Sequence, residues 1–211
     1  MTGRLIVVDG VEGGGKTTLL AFVRAGLERA GYPVITTREP GGTPLGEEIR
    51  SVLLAHRQDG MTLNAETLLV FAARAEHLAK VIRPALAAGQ WVLCDRFTDA
   101  TYAYQGGGRG LSSAKIATLE HWVQEGLQPD LTLLFDLPVA VGLARAGRRG
   151  AMDRFEREGE KFLESVRAAY LARARQQPDR YRIIDATGSL ETVKGQVDAS
   201  LSDWLERLDA G

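Results

Sequence analysis

Two hydrophobic rhythms alternate along this chain. Runs that stay apolar for several consecutive positions occur as "RLIVVD" (4–9), "PVITT" (33–37), "WVLCD" (91–95), "DLTLLFD" (130–136) and "YRIID" (181–185). Between them lie longer stretches in which apolar residues recur every three or four positions: 16–30, 43–55, 64–88, 98–104, 112–126, 138–149, 153–177 and 189–208. The first rhythm predicts strands and the second helices. Strands that are apolar throughout, rather than on alternate residues, are those covered on both faces. The pattern therefore predicts an α/β fold, with five parallel strands flanked by helices in three layers. No repeat or linker divides the chain, so residues 1–211 are read as one domain.

Three stretches escape both rhythms and concentrate glycine and arginine: "REPGGTP" (38–44), "YQGGGRG" (104–110) and "AGRRGAMD" (146–153). They are expected as irregular segments beyond the C-terminal ends of strands, the edge at which open parallel sheets bind ligands.

Composition narrows the partners. The net charge of −1 offers no global attraction to nucleic acid or to an anionic membrane, so anion recognition must be local. Of the 26 basic residues five are lysines, leaving 21 arginines. That excess suits bidentate phosphate binding, and a biased genome composition produces it equally well. The lone Cys94 excludes an internal disulfide and a multi-cysteine metal site. "LIVV" is too short for a signal segment, and no stretch approaches the ~18 apolar residues that cross a bilayer. The cytoplasm is the expected compartment, with no membrane and no nucleic acid as partner.

The chemistry begins at "GVEGGGKTT". Gly10, Gly15, Lys16 and Thr17 meet the pattern G-x-x-x-x-G-K-[ST] between a predicted strand and a predicted helix, the context that makes it a phosphate-binding loop. Its backbone N–H groups, from Gly10, Val11, Glu12, Gly13, Gly14 and Gly15 through Lys16, Thr17 and Thr18, would cradle phosphates at a helix N-terminus. Lys16 would reach the β and γ phosphates and Thr17 would hold Mg²⁺, so ATP with Mg²⁺ is the expected nucleotide pair. No N-K-x-D guanine-reading motif occurs, and little length is left for a coupling domain. A kinase for a small acceptor fits best. The alternatives are a regulatory P-loop ATPase module and a kinase for another nucleotide or a deoxynucleoside.

From Arg4 to about Asp185, the ordered blocks "GVEGGGKTT", "TREPGGT", "LLVFAARAEHL", "VLCDRFTDATYAYQGGGRG", "PDLTLLFDLP" and "RRGAMDRFE" resemble the bacterial thymidylate kinases. That resemblance implies a nucleoside-monophosphate-kinase-like P-loop fold, ATP as donor, dTMP as acceptor, dTDP as product and a homodimer. It also implies individual roles. Arg96 clamps the dTMP phosphate with Arg38 as a second clamp, and Asp95 lies near Mg²⁺ through water or assists the acceptor. Phe71 stacks on thymine and Arg74 reads a base carbonyl, with Thr101 and Gln105 adding polar contacts. Tyr104 packs beneath the deoxyribose, where a 2′-hydroxyl would clash. Glu12 faces the acceptor sugar's 3′-hydroxyl. By spacing alone, Phe71 reads more readily as a core residue than as a ligand contact, and an ordinary buried tyrosine is the lesser reading of Tyr104.

Some members of that family carry a basic residue inside the loop, where this chain has only Gly13 and Gly14. The missing charge is expected from a lid near 142–156. Arg145, Arg148 and Arg149 are spaced to share one side of a helix. The resemblance assigns the transferred phosphoryl group to Arg149, then Arg148, and sets Arg145 against adenine. The acceptor is a phosphate with a second pKa near ~6, already anionic at neutral pH, so no general base is required. Accordingly His56, His77 and His121 read as structural or surface residues. The long stretch 64–88 could supply a dimer interface, and burial against the sheet explains its pattern equally well.

Overall fold

The computed structural model describes residues 3–147, 154–155 and 158–209. Strand β1 (Leu5–Gly10) leads through the phosphate loop into helix α1 (Lys16–Arg29), followed by β2 (Val34–Arg38), α2 (Pro44–Leu54) and α3 (Leu63–His77). The chain continues through α4 (Arg83–Ala87), β3 (Trp91–Asp95), α5 (Thr98–Thr101), α6 (Ser113–Gln124) and β4 (Leu131–Asp136). It closes with α7 (Val139–Ala146), α8 (Glu160–Gln176), β5 (Tyr181–Asp185) and α9 (Leu190–Asp209).

All five strands are parallel, in the order β2-β3-β1-β4-β5. Leu5, Ile6, Val7 and Val8 of the central strand are fully buried, each contributing roughly 1.5–3 kcal/mol of apolar burial. Alternate residues serve opposite faces. Ile6 and Val8 join Leu133, Val166, Val197 and Trp204 on one side, and Leu5 and Val7 join Val92, Leu78 and Ile82 on the other. The chain leaves β1 toward β2 and leaves β3 toward β4, in opposite directions across the sheet. The crevice at the C-terminal ends of β1 and β3 is the topological switch point.

Three stretches differ from the sequence expectation. The single helix expected over 64–88 is divided by a π-helical turn at Leu78–Ile82. Pro84, in the first turn of α4, has no N–H to give and crowds the carbonyl four residues earlier, so the ladder widens there. Of the irregular 104–110, Tyr104 to Gly108 belong to a π-helical segment, Tyr102–Gly108, running on from α5. Its glycines permit close approach to α8: a methyl on Gly107 would lie 2.6 Å from Ala169 Cβ, and one on Gly108 would enter the Phe162 ring. Finally, α7 ends at Ala146 and α8 begins at Glu160, so the expected helices 138–149 and 153–177 are both shorter. Arg148 and Arg149 lie outside the described residues. Among the described residues no helix is long and apolar enough to cross a membrane.

Candidate active site

The strand ends deliver the site. Lys16, the first residue of α1, is buried, and its Nζ donates to Gly10 O at 3.0 Å and Val11 O at 2.8 Å, with Glu12 Oε2 at 3.7 Å. Burial, then the neighbouring Arg96, lowers its pKa. One cavity is lined by Gly15, Lys16 and Thr17 from the loop, by Asp95 and Arg96 after β3, and by Arg74, Thr101, Tyr104 and Gln105 from the helices above.

Arg96 links these groups. Its backbone sits at φ 67°, in the left-handed region, where its N–H donates to Val8 O at 2.9 Å. Its guanidinium donates to Glu12 Oε1, to Gly10 O at 3.3 Å and to Tyr170 Oη at 3.1 Å, and lies 5.0 Å from the Tyr104 ring centre. Tyr170 in turn donates to Asp9 Oδ1 at 2.5 Å, and Arg96 Nη1 is 3.5 Å from the same oxygen. Asp9 is wholly buried, and that desolvation raises its pKa to about 6 against the pull of Arg96, Tyr170 and the Gly10 amide.

Two buried carboxylate oxygens, Asp9 Oδ2 and Asp95 Oδ1, have no protein partner. Asp95 and Thr17 both line the cavity, and hard oxygen donors of this kind suit Mg²⁺. Among the described residues no cluster of three or more His, Cys, Asp or Glu side chains forms a closed metal site.

At the opposite end Arg74 is almost fully buried. Its Nε donates to Glu39 Oε2 at 2.7 Å and its Nη2 to Thr101 Oγ1 at 3.0 Å, while Nη1 is buried without a partner. Glu39 also binds His77 Nδ1 at 3.0 Å, and His77 Nε2 meets Thr37 Oγ1 at 2.6 Å. A carboxylate only accepts, so Nδ1 carries the proton. Gln105 Nε2 donates to buried Glu66 at 2.8 Å.

Eleven of the expected residues line one cavity: Lys16, Thr17, Glu12, Gly13, Gly15, Asp95, Arg96, Arg74, Thr101, Tyr104 and Gln105. Others do not. Phe71 is buried with Leu111 and Ile116, outside the cavity lining, and the Arg74 guanidinium carbon lies 4.8 Å from its ring centre. Val70, four residues before Arg74 instead of three, lines the cavity. Arg38 is half exposed and bound to Glu47 Oε2 at 2.7 Å, off the lining, whereas Arg50 lies on it, donating to Pro40 O at 2.9 Å. Arg145 spends its terminal nitrogens on Ala186 O at 2.7 Å and Thr187 O at 2.8 Å, tying α7 to the loop after β5. Gly10, Val11, Gly14 and Thr18 complete the loop without lining this cavity.

Sequence reasoning missed Asp9, Glu39, Arg50, Glu66, Val70, Phe155 and Tyr170. Glu39 stands inside the quoted "REPGGTP", and Val70 inside "LLVFAARAEHL". Phe155 lines the cavity and packs edge-on to Tyr104, with centroids 5.5 Å apart.

The thymidylate kinase family model matches residues 8–197. The chain is 60% identical to a thymidylate kinase of Pseudomonas putida (strain GB-1) over 207 residues, 98% of this chain and 99% of that one. It is 59% identical to the thymidylate kinase of Pseudomonas syringae pv. tomato over 206 residues, 98% of each chain. The crystal structure of thymidylate kinase from Ehrlichia chaffeensis superposes with a TM-score of 0.78 at 30% identity, covering 95% of this chain and all of that one.

Proposed function

The chain belongs to the thymidylate kinase family, and from that premise we propose that it transfers the γ-phosphoryl group of ATP to the phosphate of dTMP, releasing dTDP and ADP. The observation that carries this reading is the shared cavity: a phosphate loop at one end, a buried donor-rich base pocket at the other, and Arg96 bonded to Glu12 of the loop.

The loop amides and Lys16 hold the donor phosphates. On arrival of phosphate, Lys16 exchanges the carbonyls of Gly10 and Val11 for phosphate oxygens. Arg96 and Arg50 hold the acceptor phosphate, with Arg38 at the rim. The planar fork of Arg96 suits a phosphate oxygen pair. Asp95 and Thr17 would hold Mg²⁺, which when bound neutralises charge on the β and γ oxygens. The acceptor is already an anion near neutral pH, so alignment and charge compensation carry the catalysis. Arg74, Thr101 and Gln105 read the base, Val70 walls it, and Tyr104 lies under the sugar, with Glu12 near its 3′-hydroxyl.

Residues 1–211 act as one kinase domain with a lid near 142–156. Support comes from Phe155 on the cavity and Arg154 on Glu66. Arg149, then Arg148, meets the transferred group, and Arg145 borders adenine. The enzyme works in the cytoplasm as a homodimer. Trp122 (74% exposed) and Leu68 (55%) border an apolar groove floored by Ala72, Ala75 and Ala79, a face suited to a second copy.

The test is ADP release from ATP with dTMP, dUMP, dCMP, dGMP, UMP and thymidine in turn. Stimulation by dTMP is expected. Equal release with and without every acceptor would overturn the kinase reading, and selective stimulation by another acceptor would overturn the choice of dTMP.

A further inference from the structure

We infer that Glu66 is a positioning residue that sets the hydrogen-bonding polarity of the base pocket, acting through Gln105, so that the pocket selects thymine or uracil against cytosine. The inference rests on the proposed base-reading roles of Arg74 and Gln105.

Glu66, on α3, is 1% exposed and does not itself line the cavity. Its Oε1 accepts from Gln105 Nε2 at 2.8 Å and from Arg109 Nε at 3.4 Å, and its Oε2 accepts from Arg154. A carboxylate flanked by two guanidiniums can only accept, so it admits one orientation of the Gln105 amide. The NH₂ group faces Glu66, and the carbonyl oxygen is left for the cavity that Gln105 lines. Glu39 does the complementary work on Arg74. It accepts from Nε and Thr101 accepts from Nη2, so Nη1, on a side chain that lines the same cavity, is left as a buried donor without a protein partner.

Arg74 and Gln105 therefore present one donor and one acceptor, each held by a buried glutamate. The imide edge of thymine or uracil presents a carbonyl oxygen beside a ring N–H and satisfies both. Cytosine presents an amino group beside an unprotonated ring nitrogen, so donor meets donor and acceptor meets acceptor. Leaving buried polar groups unpaired is the costly half of such discrimination. With an amide at position 66, one end of that side chain becomes a donor, and Gln105 is free to turn over.

The experiment measures dissociation constants of dTMP and dCMP by calorimetry for the full chain, Glu66→Gln, Gln105→Ala and the double variant. Wild type is expected to favour dTMP. Glu66→Gln should shrink the dCMP-to-dTMP ratio about tenfold or more, Gln105→Ala should shrink it similarly, and the double variant should add nothing. Loss of the Arg109 and Arg154 contacts would weaken both nucleotides alike and leave the ratio in place. An unchanged ratio in Glu66→Gln, or independent effects that multiply in the double variant, would overturn the inference. If Glu66→Gln does not fold, Gln105→Ala alone decides, because an unchanged ratio there removes the route through which Glu66 acts. Equal affinity of wild type for dTMP and dCMP would instead overturn the thymidylate reading itself, and this inference with it.

Discussion

Gly13 of the phosphate loop and Gly142 of α7 meet backbone to backbone. A methyl on Gly13 would lie 2.5 Å from Gly142 Cα, and one on Gly142 would enter the Glu12 carbonyl. The loop lacks a basic side chain at this point because a helix occupies the space. Gly13 also stands at φ 80°, a conformation that L side chains rarely adopt. Gly13→Ala should therefore cost about 1–3 kcal/mol in stability and weaken ATP binding by displacing the loop. Denaturant unfolding and an ATP titration measure both, and a variant unchanged in each would contradict the close approach.

With no basic side chain at Gly13 or Gly14, the compensating cation has to come from elsewhere, and the lid arginines are the source proposed above. Arg149→Ala should lower kcat at least about tenfold while the KM for dTMP moves little, the pattern of an interaction made in the transition state. Steady-state kinetics with both substrates varied gives the comparison. An unchanged kcat transfers the role to Arg148.

Arg96→Lys keeps a positive charge and discards the fork that reaches Glu12, Gly10 O and Tyr170. Neither residue is favoured at φ 67°, so the backbone cost is shared. The expected result is a fall of about a hundredfold in kcat/KM for dTMP with folding largely retained. Activity within a factor of two of wild type would show that a point charge suffices.

Asp9 makes the pH dependence of stability testable. Burial raises its carboxyl from 3.8 to about 6, so between those values the folded chain keeps a proton that the unfolded chain has released. Its contribution to stability is therefore greatest below the unfolded value and falls as pH rises through the window. From pH 4 to 7, wild type should lose about 2 kcal/mol relative to Asp9→Asn. Urea unfolding at stepped pH measures the difference, and a difference that stays flat would contradict the burial argument.

The five strands were legible because each is a short apolar or β-branched run, and the loop because its glycine spacing is a local property. What was illegible depended on contacts far apart in sequence. The helical period makes both Val70 and Phe71 neighbours of Arg74. Which flank faces the cavity is decided by Leu111 and Ile116, with which Phe71 packs. Arg38 and Arg50 are likewise separated by Glu47, which pairs with the first and leaves the second on the cavity wall. The glutamates that hold Arg74 and Gln105 lie 35 and 39 residues from them. Neither separation carries a periodic signal. Pro84 was visible in the sequence, but the apolar period around it continued unbroken, hiding the π turn that the proline imposes.

The most direct test of the account is to follow the phosphorus. Incubated with γ-labelled ATP, Mg²⁺ and dTMP, the protein should place the label in dTDP, one equivalent for each ADP formed, and release little as inorganic phosphate. Label appearing as inorganic phosphate at the same rate with and without dTMP, and none in dTDP, would contradict it.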